Sequence, residues 1–111
     1  MRAVSNTSPL IFLESLDVLY LLDRCFEKVI IADAVYREWG PSSIPSFVEH
    51  YYLSEKGRAF VSGAMGRLHQ GELETIVLAN EIGIKFVLMD DLLARRKAIR
   101  MGLTPIGILV F

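Results

Sequence analysis

Carboxylates recur at the ends of apolar runs in this chain. Glu38 comes shortly after KVIIA (28–32), Glu72 and Glu74 open GELETIVLANEIG (71–83), and Asp90 and Asp91 close FVLMDD (86–91). A carboxylate beside buried structure is costly unless it stays in water or meets a cation. Three or four of them gathered together, with no zinc-type ligands near, suit a hard divalent ion such as Mg²⁺ or Mn²⁺. An oxygen-ligated ion of that kind activates water and neutralises phosphate charge, which is the usual equipment of phosphodiester hydrolysis. Ordinary roles account for the same residues. Glu72 and Glu74 favour a helix dipole by about 0.3–1 kcal/mol each, Asp90 or Asp91 caps a following helix, and Glu38 is solvated. His50 and His69 have no Cys or second His at ligand spacing and read as surface or structural residues.

The elements that position these acids follow from hydrophobic period and punctuation. Arg2 to Ser5 reads as a short first strand. Pro9 suits the first turn of a helix, with Asn6, Thr7 or Ser8 ahead of it as caps. Leu10, Ile11, Leu13, Leu16, Leu19, Tyr20 and Leu22 continue at helical spacing with a break near Ser15. Lys28 to Ala32 is a second strand, and Asp33 caps a short helix that Gly40-Pro41 stops. Residues 41–55 are ambiguous. A helix is expected over 58–68, weakened by Gly63 and Gly66, and another over 72–82, closed by Gly83. Ile84 to Met89 is the third strand, Leu92 to Met101 a helix ended by Gly102, and Thr104 to Phe111 a fourth strand.

Alternating strands and helices, with strands apolar on both faces, specify a parallel sheet covered on two sides. The expected fold is a three-layer α/β/α sandwich with about four strands, in a single domain over residues 1–111. Ligands of such sheets bind at the carboxyl ends of the strands. Asn6 and Asp90 leave that edge, Glu72 starts there because its helix runs antiparallel to the next strand, and Glu38 lies one helical turn beyond it. The separated acids therefore converge on one cleft.

Composition narrows the classes. With 111 residues and 52% hydrophobic content, the chain can build one core and is neither fibrous nor disordered. No apolar run approaches the roughly 18–20 residues of a membrane span, and MRAVSNTSPL does not read as a signal peptide. The single cysteine, Cys25, suits a reducing cytosol and reads as a packing residue. Net charge is −1, so nucleic-acid binding would need a local patch.

The segments SNTSPLI (5–11), ADAVYRE (32–38), GELETIVLANEIG (71–83), VLMDDLLARRKA (87–98) and GLTPIG (102–107) together resemble a branch of the PIN-domain superfamily. These are small metal-dependent ribonucleases, many of them VapC-like toxins of prokaryotic toxin–antitoxin pairs. The resemblance implies Mg²⁺ or Mn²⁺ held by Asn6, Glu38, Glu72 and Asp90, with Asp91 auxiliary, and catalysis resting on Glu38, Glu72 and Asp90. It implies that Thr7 and Ser8 hold water or phosphate, and that RNA lies along Arg95, Arg96, Lys97 and Arg100, where Arg96 and Arg100 share a helix face. Arg95 has the alternative of pairing with a site acid, and the whole basic run that of an ordinary solvated face. A cytoplasmic location and an antitoxin protein partner follow from the same resemblance.

Two departures stand out. Asn6 replaces the first aspartate, keeping an oxygen ligand but losing a charge. Family members also continue past the GLTPIG strand, so the resemblance implies a shortened chain or a layer supplied by a partner. The apolar run from Ile106 to Phe111 then predicts a homodimer or higher oligomer, burying Ile108, Leu109, Val110 and Phe111 or the aromatics Phe47, Tyr51 and Tyr52. The rival to a nuclease is a PIN-like module that binds RNA or protein without cutting. A flavodoxin-like nucleotide-binding domain is weaker, because Asn6-Thr7-Ser8-Pro9 stands where a Gly-rich phosphate loop is needed.

Overall fold

Five runs of the chain are extended in the computed structural model, which describes residues 1–64, 66 and 68–108. They are β1 (Arg2–Ser5), β2 (Lys28–Ala32), β3 (Val48–Tyr51), β4 (Phe86–Leu88) and β5 (Thr104–Ile106). All pair in parallel, in the order β3-β2-β1-β4-β5. The helices are α1 (Thr7–Ser15), α2 (Leu21–Cys25), α3 (Asp33–Trp39), α4 (Glu55–Ala64), α5 (Gln70–Ile82) and α6 (Leu92–Arg100).

The period of two sorts the strands between two cores. Val4, Ile30, Ala32, Val87 and Met89 face one side with Leu73, Ile76 and Ala98. Their neighbours Ala3, Val29, Ile31 and Leu88 face the other with Leu10, Leu13, Val35 and Trp39. This is the covered parallel sheet that the two-faced apolar strands demand. Ile30, Ile31 and Ile76 are fully buried, and truncating any one to alanine should cost about 2–5 kcal/mol.

The sheet has one strand more than the expected four. β3 lies on the edge, where among the described residues only β2 pairs with it, and of its four residues only Val48 is buried. An edge strand with one partly covered face carries little hydrophobic signal, which is why the 41–55 stretch did not declare itself. The third and fourth expected strands are shorter, at 86–88 and 104–106. Leu109, Val110 and Phe111, proposed from sequence as part of an oligomer surface, lie outside the described residues.

Three local readings change. α4 begins at Glu55 instead of Arg58, because Ser54 Oγ accepts the Gly57 N–H at 3.0 Å and Ser54 O that of Arg58 at 2.9 Å. Cys25 is exposed at the end of α2, while Leu22 and Phe26 do the packing. Asp33 does not cap α3: Ala32 holds the cap position, with no side-chain capping bond. The helix stops agree better, with Gly83 in the left-handed region (φ 72°) receiving the end of α5.

Candidate functional site

In the strand order, the chain winds from β1 outward to β3 on one side and to β5 on the other. The β1/β4 junction is therefore the switch point of the sheet, where a crevice opens at the strand ends. Asn6 is anchored there by its backbone N–H, which donates to Leu88 O at 2.9 Å. It is 5% exposed and stands at the cap position of α1, yet its side chain makes no capping bond. The amide is therefore not committed to the helix end.

Thr7 follows, buried, and its hydroxyl donates to Glu38 Oε2 at 3.3 Å. Glu38 comes from α3 and also lies against α5, where a methyl group on Gly71 would overlap its carboxylate. Gly71 therefore matters for its missing Cβ: it is the space Glu38 occupies. Ser8 is exposed. It has no described bond to the acids.

Glu72 is 7% exposed in the first turn of α5, and its Oε1 accepts the His69 N–H at 3.1 Å. Burial pushes its carboxyl above the ordinary 4.5, against the lowering by the His69 N–H; the negative charges of Asp91 and Glu38 raise it further. Like charges gathered this way are what a cation would relieve. Asp91 caps α6, accepting Ala94 N–H at 3.0 Å on Oδ2. Asp90 accepts the Ile108 N–H at 2.7 Å on Oδ1, which ties the end of β4 to the segment after β5.

The donors are all oxygen, carboxylate plus amide, and one carboxylate is destabilised as an anion, first by burial and then by the acids near it. That set fits a hard divalent ion. Among the described residues, no three His, Cys, Asp or Glu side chains stand where one ion could already share them, so side-chain rotation would have to accompany binding.

The basic run divides. Arg95 is half-buried and its Nη1 donates to Met89 O at 3.2 Å, bracing the residue before Asp90. That neither pairs it with a site acid nor leaves it as a freely presented cation. Arg96 and Arg100 are exposed and Lys97 half-buried. Among the described residues, no contact joins these three to the acids.

Sequence reading gave Glu74 only a helix-dipole role and missed its part between α3 and α5. It is 6% exposed, and its Oε1 accepts the Ala34 N–H at 3.0 Å while Oε2 accepts from Gln70 Nε2 at 2.8 Å. The cap that α3 lacks from Asp33 thus arrives from α5. Asp33 turns away to Arg37 (3.1 Å) and His50 (3.0 Å), and His50 stacks between Tyr36 and Tyr52. His50 is structural, as its spacing suggested.

A parallel sheet with acids converging at its central switch point has the architecture of a nuclease-like domain. The PIN domain family model matches residues 2–111, and the chain belongs to that family. PIN domains are generally nucleases and typically use divalent metal ions. Among solved structures, the chain is similar to a PilT N-terminus domain protein, SSO1118, from the hyperthermophilic archaeon Sulfolobus solfataricus P2. The identity is 22% and the TM-score 0.71, over 97% of this chain and 87% of that one. At that identity the likeness speaks for the fold. No curated protein matches this chain significantly. Among the described residues, no helix is long and apolar enough to cross a membrane.

Proposed function

We propose that this chain is a metal-dependent endoribonuclease acting on RNA, and the toxin component of a toxin–antitoxin pair. The observation that carries the nuclease reading is the meeting of buried Asn6 and Glu72 with Glu38, which touches Thr7 and Gly71, at the switch point where Asp90 ends β4, inside a family of nucleases. Glu38, Glu72 and Asp90 would hold Mg²⁺ or Mn²⁺, with Asn6 and Asp91 adding oxygen. The bound ion supplies charge neutralisation at the phosphate and activation of water.

The protein's own residues do the rest. Thr7 holds Glu38 by its hydroxyl, and Gly71 leaves the room that the carboxylate needs. Arg95 and the Ile108 N–H fix the backbone and side chain around Asp90. A carboxylate of the cluster takes the proton from the attacking water. Arg96, Lys97 and Arg100 meet flanking phosphates along α6, each contact sequence-neutral and weakened by salt. The toxin role rests on family likeness and gives the chain a second partner, an antitoxin protein.

The test is cleavage of labelled single-stranded RNA with Mn²⁺, with Mg²⁺ and with EDTA. Cleavage with metal, none with EDTA, and none for Asp90→Asn at unchanged circular dichroism is the expected result. Activity that survives either EDTA or Asp90→Asn would sink the assignment. Asn6 and the absence of a ready three-acid cluster among the described residues favour a second reading, a module that binds RNA or protein without cutting. RNA binding without cleavage at any metal concentration would select it.

A further inference from the structure

A cavity of about 350 Å³ opens between α4 and the carboxyl ends of β2 and β3, with Asp33, Tyr52, Arg58, Ser62, Gln70 and Glu74 in its wall. A smaller one, lined by Ala34, Arg37, Glu38 and Gln70, adjoins it. Arg37 and Gln70 belong to both. The two therefore form one groove that runs from a site carboxylate to an aromatic.

That aromatic is presented in an unusual way. Tyr52 is 67% exposed, but its ring lies 4.7 Å from the ring of His50 at a tilt of 40°, and His50 stacks at 4.5 Å and 19° on Tyr36. The Asp33 carboxylate holds His50 Nε2 at 3.0 Å. Tyr52 thus leans on a braced His50–Tyr36 stack and loses little freedom when something settles on it. An exposed tyrosine with no such support would gain far less from stacking.

The charges along the groove point the same way. Asp33 is paired with Arg37, and both oxygens of Glu74 are taken by Ala34 N–H and Gln70 Nε2. Asp33 is thus charge-paired, whereas Glu74 is held by neutral donors and keeps its charge, which leaves Arg37 and Arg58, among the described residues, as the cations facing an incoming phosphate. Arg58 spends one N–H on Leu53 O at 3.3 Å. Among the described residues, its other donors are uncommitted, and a guanidinium carries five.

We propose that this groove is the track of a single-stranded RNA beside the scissile phosphate, with Tyr52 the platform for one flanking base and Arg58 the contact to a phosphate. The assignment rests on the ribonuclease reading for its direction toward Glu38. Base–aromatic stacking is tolerant of sequence, so this subsite selects an unpaired nucleotide and not a particular base. A duplex, whose bases are already stacked, cannot use it.

The experiment is fluorescence anisotropy of the full chain in EDTA, with a single-stranded RNA and an abasic oligomer of equal length. Tyr52→Ala should weaken RNA binding about tenfold and leave the abasic oligomer unaffected, at unchanged melting temperature. Tyr52→Trp should keep the affinity, and its fluorescence should be quenched by RNA and not by the abasic chain. Arg58→Gln should weaken both ligands and lower the salt slope by about one. Unchanged RNA affinity of Tyr52→Ala, equal weakening of both ligands by Tyr52→Ala, or no RNA binding by the unaltered chain would each overturn the groove. Metal-dependent cleavage that persists alongside the first outcome leaves the ribonuclease reading standing. Tyr52-dependent binding with no cleavage under any metal supports the groove and ends that reading instead.

Discussion

Glu72 and Glu74 sit two residues apart on α5, equally buried at 7% and 6%, and do opposite things. Glu74 points to α3 and has a donor on each oxygen, one from Ala34 N–H and one from Gln70. Glu72 points to the strand ends, where Asp91 and Glu38 add their repulsion to the effect of burial. Two positions along a helix are about 200° of rotation, so neighbours in sequence face different surroundings. Burial of an acid is therefore no guide to its role. What matters is how donors balance against burial and further acids: among the described residues, Glu72 has one donor, the His69 N–H, and Glu74 has two.

The comparison breaks most sharply in activity. Glu72→Gln should lose cleavage by more than the 10–100-fold that changes to groups supporting a metal ligand cost, whereas Glu74→Gln keeps the Ala34 acceptor and should cut RNA at a rate within a few-fold of the unaltered chain. Timed assays on labelled RNA with Mn²⁺ measure both. Equal loss in the two variants would erase the distinction.

Next in size is Gly71→Ala. The added methyl claims the space of the Glu38 carboxylate, the far end of a flexible side chain. Glu38 should swing away, with activity down roughly 10–100-fold and little change in melting temperature. A large drop in melting temperature would mean that the carboxylate cannot move aside.

Stability should reverse the order of the two glutamates. Glu74→Ala strands the buried Ala34 N–H, and should cost about 1–3 kcal/mol by urea denaturation. A cost below about 0.5 kcal/mol would remove the clamp between α3 and α5 that Glu74 represents.

The smallest effect is in pH. Because the folded-state value of Glu72 is raised, the fold favours its protonated form, and ionisation in the folded state is a burden at neutral pH. In EDTA, Glu72→Gln should therefore be more stable than the unaltered chain at pH 7. The gain should shrink as pH falls through the raised value and vanish below the ordinary 4.5. Melting curves from pH 7 to 4 follow it, and a gain that grows toward low pH would show the shift has the opposite sign.

The parts of the molecule that local rules govern were legible without coordinates. Arg2–Ser5 and Lys28–Ala32 are strands at their expected bounds, and Gly83 ends α5. Alternation in Val29-Ile30-Ile31-Ala32 divides between the two cores, as a doubly covered sheet requires. Period, β-branching and a glycine stop act within a few residues, so the sequence carries them intact. It also placed Asn6, Glu72 and Asp90 at one edge, since strand direction in a parallel sheet follows from helix alternation alone.

The choice of partners belonged to the tertiary structure. Asp33 reads as a helix cap and Glu74 as a dipole ornament, yet Glu74 reaches across 40 residues to the Ala34 N–H while Asp33 turns to His50. Arg95 reads as an RNA contact, and packing commits one of its N–H groups to Met89 O. β3 exists because β2 offers it a ladder, not because VEHY is a strong strand. The physical reason is the same in each case. A buried polar group takes the nearest donor or acceptor that packing brings within about 3 Å, and packing is set by elements far apart in the chain.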